Sequence, residues 1–265
     1  MKAYDFEYDG IRLSDLGFMI CDFGKKKNLQ TISNGSQIDF DTVSTQFGSK
    51  FEQVSTSYKK CLETSFYICK NPCDNSNLKI EVYEERDLVA WLNRKKYLRL
   101  QFIGDDYEDV YYEASFNMKR IESGGELIGF QLDMQTNRPW ALSEPRTFLI
   151  KNITANGERT IIDNSDEEGF IYPDVEITVN QTGNLTIYNS LEDRTTYIAN
   201  CTQGEKITMS YPIIESSLQS HSIQDDFNWK FFRIANTFKN KENIIKISLP
   251  CTMKITYSPI VKKGL

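Results

Sequence analysis

A chain of 265 residues with 31 basic and 37 acidic side chains, net charge −6, is long enough for one large or two ordinary domains with cores of their own. Hydrophobic residues at 40% and charged residues at 26% exclude a disordered chain, and the acidic balance excludes a protein that coats nucleic acid. No apolar run approaches the ~18 residues of a membrane span, and the opening Met-Lys-Ala-Tyr-Asp-Phe-Glu lacks the apolar stretch of a signal peptide.

Residues 4–23 read as two strands joined at Asp9-Gly10, a turn dipeptide. From Gly24 to about Ser57 the composition turns polar, with Lys25–Lys27 and many Gln, Thr, Ser and Asn. Ile38, Phe40, Val43, Phe47 and Phe51 are spaced through it. Apolar residues at intervals fit an extended hairpin or arm, which packs either on another chain or on its own subunit's surface. Asn71 to Leu78 form a turn-rich loop.

The stretch from Glu84 to Leu142 is the most legible. Leu88, Trp91 and Leu92 fall at i, i+3 and i+4, which predicts a helix with one buried face. A strand follows with Leu98, Leu100 and Phe102 inward, then an acidic turn at Asp105, Asp106, Glu108 and Asp109. A hairpin is predicted next. Tyr112, Ala114, Phe116 and Met118 face inward on one arm, and Ile128, Phe130, Leu132 and Met134 on the other. Gly124-Gly125 supplies the positive φ its turn requires. Pro139 ends the ladder, and two prolines within 138–147 mark the domain boundary.

Beyond it nearly everything reads as strand. Val175, Ile177 and Val179 alternate with polar residues, as do Leu185 with Ile187, Ile207 with Met209 and Tyr211, and Met253 with Ile255 and Tyr257. Turn signals at Asn156-Gly157, Thr182-Gly183-Asn184, Gln203-Gly204 and Asn240 to Asn243 separate them. Short strands with regular punctuation predict a β-sandwich. The domains are therefore drawn as 1–142 and 143–265, with 18 basic against 22 acidic residues in the first and 13 against 15 in the second.

Little of this carries chemistry. His221 is the only histidine and stands in a polar stretch, Gln-Ser-His-Ser-Ile-Gln-Asp-Asp, that reads as an exposed loop; no His-based triad or His-rich metal site can be assembled. Cysteines 21, 61, 69, 73, 201 and 251 contain no Cys-x-x-Cys pair and read as reduced, buried hydrophobes rather than zinc ligands. The acidic clusters at 105–109 and at Asp163, Asp166, Glu167 and Glu168 look like solvated turns, not the opposed carboxylates of a glycosidase. Phosphate-cradling glycine loops are absent. No catalytic, cofactor-binding or metal-binding residue is assigned, and no enzyme activity is expected. The aromatic stretch Phe227 to Phe232 reads as sandwich core, with a stacking platform for sugar rings as the alternative.

The order of a Trp-Leu helix, strand, acidic turn, hairpin and Pro-aromatic close resembles the distal tail protein family of long-tailed bacteriophages. The opening Phe6, Tyr8, Gly10, then Leu16-Gly17-Phe18, resembles it too. The resemblance implies a mainly β (α+β) protein, with a tail-tube-like N-terminal domain carrying one helix and a galectin-like C-terminal β-sandwich. It implies a virion protein made in the bacterial host, forming a homo-hexameric ring between the major tail tube protein and a tail-associated tip protein. Receptor-binding proteins attach at the periphery of such rings, and DNA passes through them without specific binding. In a ring of this kind the channel is expected to be acidic or neutral, with carboxylates of 105–109 toward the lumen or rim and Lys25–Lys27 away from it. The galectin sugar-binding pattern His-x-Asn-x-Arg is missing, since Ser222 and Ile223 follow His221, so galactose binding of that type is not expected.

Overall fold

The computed structural model describes residues 3–23, 36–44, 51–75, 77–152 and 154–264. The expectation for Lys25–Lys27 and part of the candidate arm lie outside them. The chain divides into two compact units. The first runs through Leu142 and takes back the tail from Lys262 onward, and the second spans Ser143–Val261.

In the first unit β1 (Asp5–Tyr8) and β2 (Ile11–Arg12) pair across Asp9-Gly10. Both turn residues have positive φ, 54° and 78°, as a two-residue hairpin demands. A 3-10 turn at Leu13–Leu16, closed by Gly17 at φ 78°, interrupts the expected second strand and leads to β3 (Phe18–Cys21). Then come β4 (Ile38–Ser44), β5 (Phe51–Tyr58), β6 (Glu63–Lys70), α1 (Val82–Leu92), β7 (Leu98–Ile103), β8 (Val110–Ser123), β9 (Glu126–Thr136) and β10 (Ala141–Ser143). The main sheet runs β2-β1-β7-β8-β9-β6-β3. Ile20 N–H on the last of these strands donates to the Tyr4 carbonyl at 3.2 Å, just ahead of β1. The sheet thus curls until its two ends meet, which hides edges that would otherwise offer unpaired backbone.

Its interior is aromatic. Phe6, Tyr8, Phe66, Phe102 and Phe116 are buried, with Phe6 against Phe66 at 5.9 Å and Tyr8 against Phe116 at 5.0 Å. Helix α1 lays Leu88, Trp91 and Leu92 onto this cluster, the face the sequence spacing predicts. Its first turn is held by Glu84, whose carboxylate accepts the Glu81 N–H at 2.7 Å and pairs with Lys70 at 2.8 Å. In the β8–β9 hairpin Gly124 and Gly125 have φ 61° and 84°. One detail differs from the sequence reading. Ile121 pairs with Gly129 but Glu122 with Leu127, so Ile128 is the extra residue of a bulge. The phase shifts there, and Leu127 is buried in place of Ile128.

The second unit contains β11 (Arg146–Asn152), β12 (Gly157–Ile162), β13 (Gly169–Ile171), β14 (Asp174–Val179), β15 (Gly183–Asn189), β16 (Arg194–Cys201), β17 (Lys206–Ser210) and β18 (Ile213–Ser216). A one-turn α2 (Ile223–Asp226) precedes β19 (Ile234–Asn236), β20 (Glu242–Ile247), β21 (Cys251–Tyr257) and β22 (Ile260–Val261). One sheet is ordered β11-β21-β14-β17-β18, a second β12-β20-β15-β16, and β13 pairs with β19. Val175, Ile177, Met253 and Ile255 from the first sheet share one buried cluster with Leu185, Ile187, Ile198 and Ile245 from the second. Two antiparallel sheets over one core make a β-sandwich. Tyr211 corrects the sequence reading: β17 ends at Ser210, and the tyrosine, expected inward, is 56% exposed.

Candidate assembly surface

Among the described residues of the first unit, one element stands apart from the main sheet. Among the described residues, strands β4 and β5 pair only with each other, and every residue of β4 is exposed. A two-stranded ribbon with neither face covered is at best marginally stable in water. Ile38, Phe40, Val43 and Val54 on it are 44–63% exposed. Asp41 pairs with Ser55 and Thr42 with Gln53, which makes Val54 an extra residue that turns the ribbon. Its base is fixed by the Lys59 N–H to the Gln37 carbonyl at 2.8 Å and by Tyr58 edge-on to Trp140 at 5.7 Å. A second apolar group, Leu78, Val82 and Tyr83, lies exposed at the start of α1. Exposed apolar groups gathered in this way are a feature of interaction surfaces.

The acidic turn after β7 behaves as a solvated loop built on one anchor. Tyr107 is buried against Phe102 at 5.3 Å, whereas Asp105, Asp106, Glu108 and Asp109 stay exposed. In the second acidic stretch, Asp163 is buried and accepts from Ser165 N–H and Oγ at 3.1 and 2.9 Å. Among the described residues no three His, Cys, Asp or Glu side chains gather as metal ligands would. The six cysteines are free thiols, and burial pushes Cys201 and Cys251 up to about 11, away from the nucleophilic thiolate.

His221 is where the sequence reading fails. Its side chain is only 4% exposed. Nδ1 lies 2.5 Å from Oε1 of the fully buried Glu205, and Nε2 3.2 Å from Asp226. Glu205 also accepts from Ser216 Oγ at 2.5 Å and from the Thr202 N–H at 2.8 Å. Burial alone would raise the Glu205 carboxyl; the bonds from Ser216, Thr202 and His221 outweigh it and hold the group below its ordinary value. The cluster ties the loop after β18 to the start of β17, and among the described residues no nucleophile is bonded to the imidazole. A carboxyl depressed in the folded state stabilises above its unfolded pKa, about 4.3, and that contribution disappears as pH falls through the folded value. Glu205→Gln should therefore cost about 1.5–3 kcal/mol at pH 7, the worth of hydrogen bonds to a charged group. Urea denaturation at stepped pH should show the gap between the two proteins closing below pH ~4.

The aromatic stretch divides. Phe227, Phe231 and Phe232 are core, but Trp229 between them is 58% exposed.

Comparison with known proteins agrees with this architecture. A family profile described as phage tail protein N-terminal domain matches residues 1–138, and one described as phage tail C-terminal domain matches residues 140–257. No curated protein sequence matches significantly. Among solved structures, the Dit protein of phage SPP1, described as a hub of the adsorption apparatus in phages infecting Gram-positive bacteria, superposes with a TM-score of 0.65 at 12% identity, covering 97% of this chain and 99% of that one. The chain belongs to the phage tail protein family, and its mainly β fold is that of a distal tail protein.

Proposed function

We propose that this chain is the distal tail subunit of a phage or phage-derived particle, six copies of which close into a ring joining the tail tube to the tail tip or baseplate. Residues 1–142 build the ring and the sandwich of 143–265, galectin-like in type, faces outward. The observation that carries this is the exposed β4–β5 ribbon. Its exposed apolar residues sit on a unit that has already closed its own sheet, so another subunit is the natural cover. A heterologous contact repeated by rotation closes a ring, and a ring is what continues a tube. The tail tube protein and a tail-associated protein are its axial partners, with receptor-binding proteins as peripheral ones. Exposed carboxylates at 105–109 suit a lumen or rim past which DNA slides, because clustered cations there would bind phosphate. The function is docking geometry, with no catalytic step.

Electron microscopy of the purified full chain should show six-fold rings. Phe40→Ser combined with Val54→Ser should weaken assembly at least tenfold by native mass spectrometry while leaving the subunit's melting temperature within a few degrees, since both residues are exposed. Monomers at high concentration, or rings indifferent to these substitutions, would sink the reading.

A further inference from the structure

The second unit carries a run of aromatic rings on its surface that the ring-hub role does not use. Phe170 meets Tyr172 at 5.4 Å, Tyr172 stacks on Tyr211 at 4.1 Å, and Tyr211 meets Phe231 at 5.3 Å. Phe231 in turn meets Trp229 at 6.5 Å. Phe170, Tyr211 and Trp229 are each at least half exposed. Phe231 is itself core, so Trp229 and the Phe170, Tyr172 and Tyr211 rings are two surface groups bridged by a buried ring.

Trp229 is held there against backbone preference. Its φ is +56°, a left-handed conformation that bulky residues avoid and that persists only where the surroundings enforce it. The enforcement is visible. Asn228 Oδ1 accepts the Tyr197 and Lys230 N–H groups at 3.2 and 3.1 Å, its Nδ2 donates to the Thr195 carbonyl at 3.0 Å, and Thr196 Oγ1 donates to the Lys230 carbonyl at 2.7 Å. The loop is thus bonded along the outer edge of β16, and the indole is presented by a rigid mount. The indole meets buried Phe227 at 5.8 Å and Phe231 at 6.5 Å and still leaves 58% of the residue exposed.

The charges beside the run say what kind of ligand fits. Arg233 lies over the Phe170 ring at 3.7 Å, and its guanidinium is bound by the Glu192 carboxylate through both Nε and a terminal nitrogen, at 3.1 and 2.5 Å. Its charge is already matched, so an anionic ligand gains little there. Flat rings, phenolic hydroxyls and matched charge favour a ligand that is uncharged and has both C–H faces and hydroxyl edges. We propose that the surface formed by Phe170, Tyr172, Tyr211 and Trp229 binds a neutral polysaccharide chain by stacking sugar faces on the exposed rings. Rigid presentation limits the ordering cost of such a contact. The proposal does not depend on ring formation.

The test is affinity electrophoresis of the full chain through gels containing laminarin, mannan or dextran, and titration with chitohexaose followed by tryptophan fluorescence. Polygalacturonate serves as the anionic control. At least one neutral glycan should retard the protein, and polygalacturonate should not. Trp229→Asn, which tolerates the left-handed backbone, and Tyr211→Ala should each weaken that binding at least tenfold with unchanged melting temperature. Leu149→Asn, at an exposed apolar residue of β11, should leave it intact. The proposal is overturned if none of the neutral glycans binds, if polygalacturonate binds equally well, or if binding survives both aromatic substitutions. It is also overturned if Trp229 is shielded from acrylamide quenching by oligomerisation and not by any of these glycans.

Discussion

Replacing Trp91 with alanine should remove about 3–5 kcal/mol from the first unit, the usual cost of deleting a large buried aromatic. Three contacts are lost at once. The indole stacks on Phe6 at 5.8 Å with planes 13° apart, meets Tyr8 edge-on at 6.1 Å, and donates from Nε1 to the Tyr8 carbonyl at 3.0 Å. That last bond ties α1 to β1 across 83 positions of sequence. The helix has few other reasons to form, since eleven residues are marginal for an isolated helix. Urea denaturation followed by Trp140 fluorescence should show the midpoint fall accordingly. Trp91→Phe, which keeps most of the packing but not the donor, should cost only about 1–3 kcal/mol. Equal losses for both would mean the hydrogen bond, and not the packing, holds the helix.

Asn243→Leu should damage the second unit on a similar scale, although leucine branches at the same carbon. Asn243 is fully buried in β20. Its Oδ1 accepts from the Ala235 N–H and from Asn189 Nδ2, both at 2.8 Å. Its Nδ2 donates to the carbonyls of Ala235 at 2.9 Å and Lys241 at 3.2 Å. Asn189 spends its remaining donor on the Arg233 carbonyl at 2.9 Å. Leucine strands several of these groups in the interior, each unpaired one costing about 1–3 kcal/mol, so a total of about 3 kcal/mol or more is expected. Trp229 fluorescence reports the second unit. A shift under about 1 kcal/mol would mean water reaches the site and replaces the amide.

The contrast between these residues shows which features a sequence displays. Leu88, Trp91 and Leu92 announce themselves because a helix buries residues at i, i+3 and i+4, a period visible within one turn. Strand alternation through Tyr112 to Phe116 and Val175 to Val179 is equally local. Ile128 fails because a bulge resets the phase, and a bulge depends on the partner strand. Tyr211 fails because its strand ends one residue earlier. His221 looked exposed because its neighbours are polar, yet its bonded partner Glu205 lies 16 positions back and Ser216 five. Burial of a charged group is decided by such distant partners. Asn243 reads as a turn residue for the same reason. The exposed ribbon was visible as apolar residues spaced through a polar stretch, whereas the stacking of Phe170, Tyr172 and Tyr211 joins segments that periodicity does not connect.

The return of the tail has a bearing on how this molecule is synthesised and on how such molecules diversify. Tyr112 Oη donates to the Gly264 carbonyl at 3.1 Å, and Lys263 lies 5.1 Å from the Tyr107 ring centre. Topologically, the sandwich is an excursion that leaves the first unit after Leu142 and is paid out before Lys262 comes home. A ribosome therefore releases the whole sandwich before the first unit receives the contacts made by residues 262–264. An excursion anchored at both ends is held by two covalent junctions instead of one. Recombination that exchanges one sandwich for another must splice at both junctions, and a splice at the first alone would discard the returning segment.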